Sequence, residues 1–214
     1  MDAVFDQGPP PPCPAPFNLA DYVLTAGRAT PSKIALAVLT PSGAERWSYE
    51  RLESAVRGAA TGLLDRGLAP GDRVLMRLGN TVEFPIAYLA ALAVDLIPVP
   101  TSALLTTPEI TKIAAQITPG LIVAGDGVAL PDPLPCPVLK ASDLKNLHDL
   151  PAASFARGDP ERPGYIIYTS GTSGQPRAVT HAHRAVWARR MMWDGWSDLT
   201  AADRSHVLHA LHAM

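Results

Sequence analysis

Cysteine is scarce in this 214-residue sequence: Cys13 and Cys136 are the two present. They lie far apart in no C-x-x-C pairing, which excludes a disulfide framework and a zinc ribbon and fits a reducing, cytoplasmic setting. Charge of one sign is also missing. The 18 basic and 20 acidic residues give a net charge of −2 and are interspersed, so no electrostatic footprint for nucleic acid or an anionic membrane exists. The longest apolar run, Phe84 to Val94, is closed by Asp95 and falls well short of the roughly 20 residues of a membrane span. The first residues carry Asp2 and Asp6 where a signal peptide needs basic residues, and a proline run where it needs an apolar core. Asp21, Glu53 and Glu83 stand singly along the chain, so no paired general acid and base can be drawn.

What remains is a chain that is 47% hydrophobic and 18% charged, long enough for one generous domain or two small ones. Proline is the excess, with 22 residues, about twice the usual share. Residues 1–16 read as a proline-rich, disordered leader. A helix is expected from Leu19 to near Ala29, stopped by Pro31, and Ile34–Leu39 and Arg46–Tyr49 pair as a hairpin. Ser48 is placed to cap a helix whose stripe is Leu52, Val56, Ala59, Ala60, Leu63 and Leu64, ending at Gly67. Strand Arg73–Leu78, helix Thr81–Val94, strand Leu96–Val99, a helix opening at Thr107-Pro108-Glu109 and strand Leu121–Ala124 follow. That alternation predicts βαβ units, an α/β fold with a mostly parallel sheet flanked by helices. Four segments result: the leader, a first α/β subdomain over 17–124, a proline-rich surface excursion over 125–163, and 164–214. The excursion is expected to hold one strand near Val138 and a short helix near Ser142 to Leu147.

The segment with specific chemistry runs from Tyr165 to Val179. An apolar strand, Tyr165 to Tyr168, leads into Thr169, Ser170, Gly171, Thr172, Ser173 and Gly174, then Gln175, Pro176 and Arg177. Glycines let backbone N–H groups turn inward around an anion, hydroxyls add short donors, and Arg177 adds charge, so the loop suits phosphate. No G-x-x-x-x-G-K-[ST] spacing passes through Gly171 and Gly174, and no G-x-G-x-x-G string exists.

The string Tyr168 to Val179 resembles the phosphate-loop signature of the AMP-forming acyl-CoA synthetase, adenylation-domain and luciferase superfamily. Trp47 to Leu52 and Gly71-Asp72-Arg73-Val74 resemble two further family segments in order and spacing, over roughly residues 17 to 214. The wording near Pro98 to Ser102 and Val179 to Arg184 is similar to acyl- or aryl-acid-CoA ligases of the benzoate type. The resemblance implies a two-step ligase that activates a small-molecule carboxylic acid with ATP and Mg2+ and passes it to coenzyme A. It implies that Thr169, Ser170, Gly171, Thr172, Ser173, Gly174 and Arg177 bind the nucleotide phosphates. Arg177 stands where the family usually has lysine, and the two are not interchangeable. His183 and His212 are implied as acyl-pocket or supporting residues. Asp95 departs from the small residue usual there, and its carboxylate needs solvent or a partner. The adenine and magnesium motifs and the catalytic lysine of the family would follow Met214, so no catalytic residue is expected in this chain. It reads as the N-terminal part of the ligase, incomplete in its large domain. The alternative is a truncated, catalytically inactive product that binds a nucleotide or a partner.

Five of six histidines (181, 183, 206, 209, 212) fall in the last 34 positions. No cysteine or carboxylate pair completes a metal set, and they read as surface, strand-end and pocket residues. Arg184, Arg189 and Arg190 read as the solvated face of a helix from Ala182 to about Trp193, and Trp187, Trp193 and Trp196 as packing. No feature of the pattern sets an oligomeric state.

Overall fold

The computed structural model describes residues 12–40, 43–169 and 176–194. Its centre is a parallel sheet in the order β4-β3-β5-β6, formed by β3 (Arg73–Arg77), β4 (Ile97–Pro100), β5 (Leu121–Ala124) and β6 (Val138–Lys140). These strands are apolar at successive positions because both faces are covered. Val74, Met76, Leu121 and Val123 join one buried cluster, and Leu75, Ile122 and Ala124 join a second. Successive side chains of a strand point to opposite faces, so the two clusters are the two sides of one sheet. Helices α2 (Tyr49–Leu64) and α3 (Glu83–Ala93) cover the first side, and α4 (Thr107–Ile117) covers the second with Ile110, Ile113 and Ile117. Each such isoleucine contributes roughly 1.5–3 kcal/mol on burial.

Local signals set the helix ends. Ser48 Oγ accepts from Arg51 N–H at 3.2 Å at the start of α2. Its buried stripe is Leu52, Val56, Ala59, Ala60 and Leu63, whereas Leu64, expected to end the stripe, lies on the solvent side at 39% exposure. Helix α4 opens with a capping box between Thr106 and Glu109. Helix α1 (Leu19–Thr25) starts at Asn18, whose Oδ1 accepts from Ala20 N–H at 2.9 Å and whose Nδ2 donates to Leu92 O and Ala156 O, each at 2.8 Å. The single helix expected as far as Ala29 is α1 followed by a 3₁₀ turn over Ala26–Ala29.

Strands β1 (Ile34–Thr40) and β2 (Gly43–Ser48) form the expected antiparallel pair. Tyr49, read as strand from sequence, is the first residue of α2, because capping by Ser48 ends β2 there. Most of the segment 125–163 is exposed or half-buried, and a few of its side chains anchor it to the core. It carries β6 and α5 (Ala141–Lys145), and Leu139, Leu144 and Leu147 are buried in the larger cluster. Within the stretch read as leader, half-buried Cys13 packs against that same cluster; residues 1–11 lie outside the described residues. Strands β7 (Pro163–Thr169) and β8 (Arg177–Ala182) form an antiparallel hairpin with β7 beside β4, followed by α6 (Ala185–Asp194) with Trp187 buried. No helix among the described residues is long and apolar enough to cross a membrane.

Candidate functional site

The sheet order creates a crevice. Strand β3 leads into α3 on one face, and its neighbour β4 leads into α4 on the other, so the loops that follow them part at the carboxyl end of the sheet. Open α/β sheets take ligands at such switch points. A cleft of about 710 Å³ lies here, between Leu78, Gly79 and Asn80 on one side and Pro100 to Leu105 on the other. Phe84, Tyr88 and Tyr168 give it an aromatic wall, and Thr169 and Pro176 close its edge. The Phe84 and Tyr88 rings stack at 6.2 Å, and Tyr88 continues onto Tyr165 at 5.9 Å. Burial, helped by the neighbouring Tyr165, holds the Tyr88 phenol well above its usual pKa, so it is neutral. Among the described residues no Asp, Glu, Lys, Arg or His lines the cleft, which suits an uncharged, partly apolar ligand segment with hydrogen bonds at Asn80, Thr101 or Thr169.

The hairpin of β7 and β8 reaches the edge of this cleft. Thr169 and Arg177 are register partners, held one strand spacing apart, about 5 Å. Thr169 and Pro176, on either side of residues 170–175, both line the cleft. Of the residues expected to hold phosphate, Thr169 and Arg177 are placed, both exposed; Ser170, Gly171, Thr172, Ser173 and Gly174 lie outside the described residues. His212 also lies outside them, as do His206 and His209.

Two features of the site were not read from the sequence. Arg77, at the end of β3, is fully buried. Its guanidinium donates to Ala129 O at 3.0 Å, Leu105 O at 2.9 Å, Ala103 O at 3.4 Å, Thr101 Oγ1 at 3.5 Å and to the Ser102 carbonyl. Desolvation lowers its pKa, yet an arginine remains charged, and its donors are met by the backbone of the cleft's outer wall. The signal was a cation inside the apolar run Val74 to Leu78.

The second feature is the partner of Asp95. This residue sits at φ 60°, a left-handed conformation that costs a non-glycine residue about 1–2 kcal/mol. Arg162 Nε and Nη2 both donate to Asp95 Oδ1, at 3.0 and 2.7 Å. His183 is fully buried beside them. Its Nδ1 accepts from Leu19 N–H at 3.1 Å, and its Nε2 is 3.5 Å from Asp95 Oδ1. These contacts give His183 a supporting place, at the exit of β8, and it does not line the cleft.

Asp21 and Glu53, single in sequence, are brought together by Arg28, which lies 2.9 Å from the first and 2.8 Å from the second. Arg157 adds a contact to Asp21 at 2.6 Å. Both carboxylates are ion-paired, so the correction to their isolation does not create an acid–base pair. His181 stacks on Tyr165 at 4.7 Å, and among the described residues no three His, Cys, Asp or Glu side chains could hold a metal ion.

Comparison with known proteins places this geometry. Residues 24–214 match the family described as AMP-binding enzyme. Over 189 residues the chain is 28% identical to the long-chain-fatty-acid–CoA ligase FadD13 of Mycobacterium tuberculosis, covering 83% of this chain and 38% of that protein. It is 26% identical over 199 residues to the 4-chlorobenzoate–CoA ligase of an Arthrobacter species, covering 87% and 38%. The inhibitor-bound N-terminal domain of FACL13 from Mycobacterium tuberculosis superposes with a TM-score of 0.74 at 25% identity, over 87% of this chain and 50% of that one. The chain thus spans about two fifths of the length of these curated relatives.

Proposed function

We propose, from the premise that this chain belongs to the AMP-binding enzyme family, that it supplies the N-terminal, phosphate-holding part of an AMP-forming acid–thiol ligase. In the whole ligase a carboxylate oxygen attacks the α-phosphorus of ATP, and pyrophosphate leaves. The thiol of coenzyme A then attacks the acyl carbon of the acyl-adenylate, and AMP leaves. The observation that carries this reading is the hairpin that sets Thr169, register partner of Arg177, on the rim of a cleft at the sheet's switch point whose described lining is uncharged.

The contribution of this chain is electrostatic. Ser170 to Gly174, with Thr169 and Arg177, would surround the β- and γ-phosphates and stabilise the charge that grows on pyrophosphate as it departs. Arginine at 177 grips phosphate through two N–H groups at once, where lysine acts as a point charge. Magnesium would arrive on the ATP phosphates, since it keeps several waters and is commonly held by one or two carboxylates plus substrate. A cytoplasmic setting would keep Cys13 and Cys136 reduced. The acid is an acyl or aryl carboxylate, as the fatty-acid and chlorobenzoate relatives differ in that respect. The alternative, a silent binding module, is not favoured by relatives that are ligases.

The test uses the complete gene product in which these residues occur, with ATP, Mg2+ and a panel of fatty and aromatic acids. Acid-dependent pyrophosphate release is expected for at least one of them. No release with any acid would overturn the reading.

A further inference from the structure

The β7–β8 hairpin is fixed at one end and carries its loop at the other. At the fixed end, Arg162 precedes β7 and His183 follows β8, and His183 N–H donates to Arg162 O at 3.1 Å, Arg184 N–H to Pro160 O at 3.1 Å. Gly164 permits this closure, because a Cβ there would lie 3.0 Å from His183 N and 3.2 Å from Ala182 C. The side chains of the same two residues reach outward to the rest of the fold. Arg162 donates to Phe17 O and Ala156 O, each at 2.8 Å, as well as to Asp95. His183 takes the N–H of Leu19. The segment before α1, the turn between α3 and β4, and both strands of the hairpin meet at this knot.

We propose that Asp95, Arg162 and His183 are positioning residues that clamp the root of the phosphate-loop hairpin, and that protonation of His183 releases the clamp. That the clamp governs phosphate rests on the function proposed above; that it governs the hairpin does not. The chemistry follows from which nitrogen is free. Nδ1 is the acceptor for Leu19 N–H, so the neutral ring carries its proton on Nε2, toward Asp95. A second proton must go on Nδ1, where it turns an acceptor into a donor facing another donor at 3.1 Å, inside a fully buried site. The charged groups facing the ring are Arg162 from the segment before β7, which opposes the added charge, and Asp95 from the α3–β4 turn, which favours it; α1 presents the Leu19 N–H. The Arg184–Glu161 ion pair lies next in the chain. Burial first, then Arg162, outweigh Asp95 and push the imidazole down to about 4.

The sign is set by the ordinary value of 6.5 in an opened, solvated root. The clamped state binds the proton more weakly, so the clamp is at full strength above pH 6.5 and is lost progressively as pH falls toward 4. Between pH 7.5 and 5 the root should open roughly 30-fold more often.

The test is amide hydrogen exchange on the 214-residue chain at pH 7.5 and 5, expressed as protection factors so that intrinsic exchange rates cancel. Amides of β7 and β8 should lose roughly 30-fold in protection at pH 5, while those of β3 and β5 in the same sample keep theirs. In His183→Asn, whose Oδ1 replaces the Nδ1 acceptor without titrating, the hairpin should be equally protected at both pH values. Gly164→Ala should open the root at both. Unchanged hairpin protection in the wild type, loss shared equally by β3 and β5, or the same loss in His183→Asn would each overturn the clamp. Pyrophosphate binding measured on these samples, compared between wild type and His183→Asn so that ionisation of the ligand cancels, separates the two ideas. A hairpin that opens as described in a chain that binds no pyrophosphate at any pH removes the phosphate reading and leaves the clamp.

Discussion

Arg77 and Asp95 are each costly where they stand, and each is supported by a specific set of partners. A guanidinium moved from water to the interior is strongly destabilising unless its donors are met. Arg77 meets them with backbone carbonyls of residues 102, 103, 105 and 129, so it ties the loop after β4 to the end of β3. Arg77→Met should leave several carbonyls without donors and cost on the order of 2–4 kcal/mol in a urea titration, at about 1–3 kcal/mol for each group left truly dry. Arg77→Lys should recover part of that loss, because an ammonium has three donors rather than five and reaches fewer of the carbonyls. Equal stability of Arg77→Met and wild type would mean that the loop does not depend on this side chain. Neither partner set was legible in sequence. The oddness of Asp95 was visible, but Arg162 lies 67 positions away, and no local pattern joins them.

Among the elements, the helices and parallel strands were the most legible parts, because their signals are local. Ser48 and Arg51, the stripe of α2 and the apolar runs of β3 and β5 each fit within a few residues. What could not be read was where the segment after β5 would pack. Its strand near Val138 and the short helix after it were expected, but not their place as the sheet's fourth strand and against α2, since the contacts that hold the segment come from distant residues. Gly58 shows the consequence. A Cβ at this position would lie 2.4 Å from His148 O and 2.7 Å from Leu147 O, so the helix carries glycine where the incoming segment touches its backbone. In an open helix, Gly→Ala stabilises by about 1 kcal/mol. Here Gly58→Ala should reverse that sign and destabilise by about 1–3 kcal/mol, as overpacking does, readable as a lowered urea midpoint. A raised midpoint would mean that the 147–148 segment gives way freely.

On the scale of the whole molecule, the cleft opens at one end of the sheet and the hairpin is anchored at the other. Loops at the carboxyl ends of β3 and β4 form a cleft lined, among the described residues, by uncharged side chains, and the hairpin sets Thr169 and Pro176 at its rim. The opposite end of the hairpin is knotted to Asp95 and to the start of α1. The string from Thr169 to Arg177 stands out in the sequence as small residues, hydroxyls and a cation in a row, and its phosphate role is the proposal made above. The cleft was not legible, since it depends on strand order, which the sequence pattern does not set. The most direct test of the phosphate-holding role is calorimetric titration of the 214-residue chain with pyrophosphate at pH 7.5, wild type against Arg177→Ala. Saturable binding that weakens roughly tenfold or more in Arg177→Ala is the expected result, as a charge-assisted hydrogen bond contributes about 1.5–3 kcal/mol. Absence of binding, or equal binding by the two proteins, would contradict it.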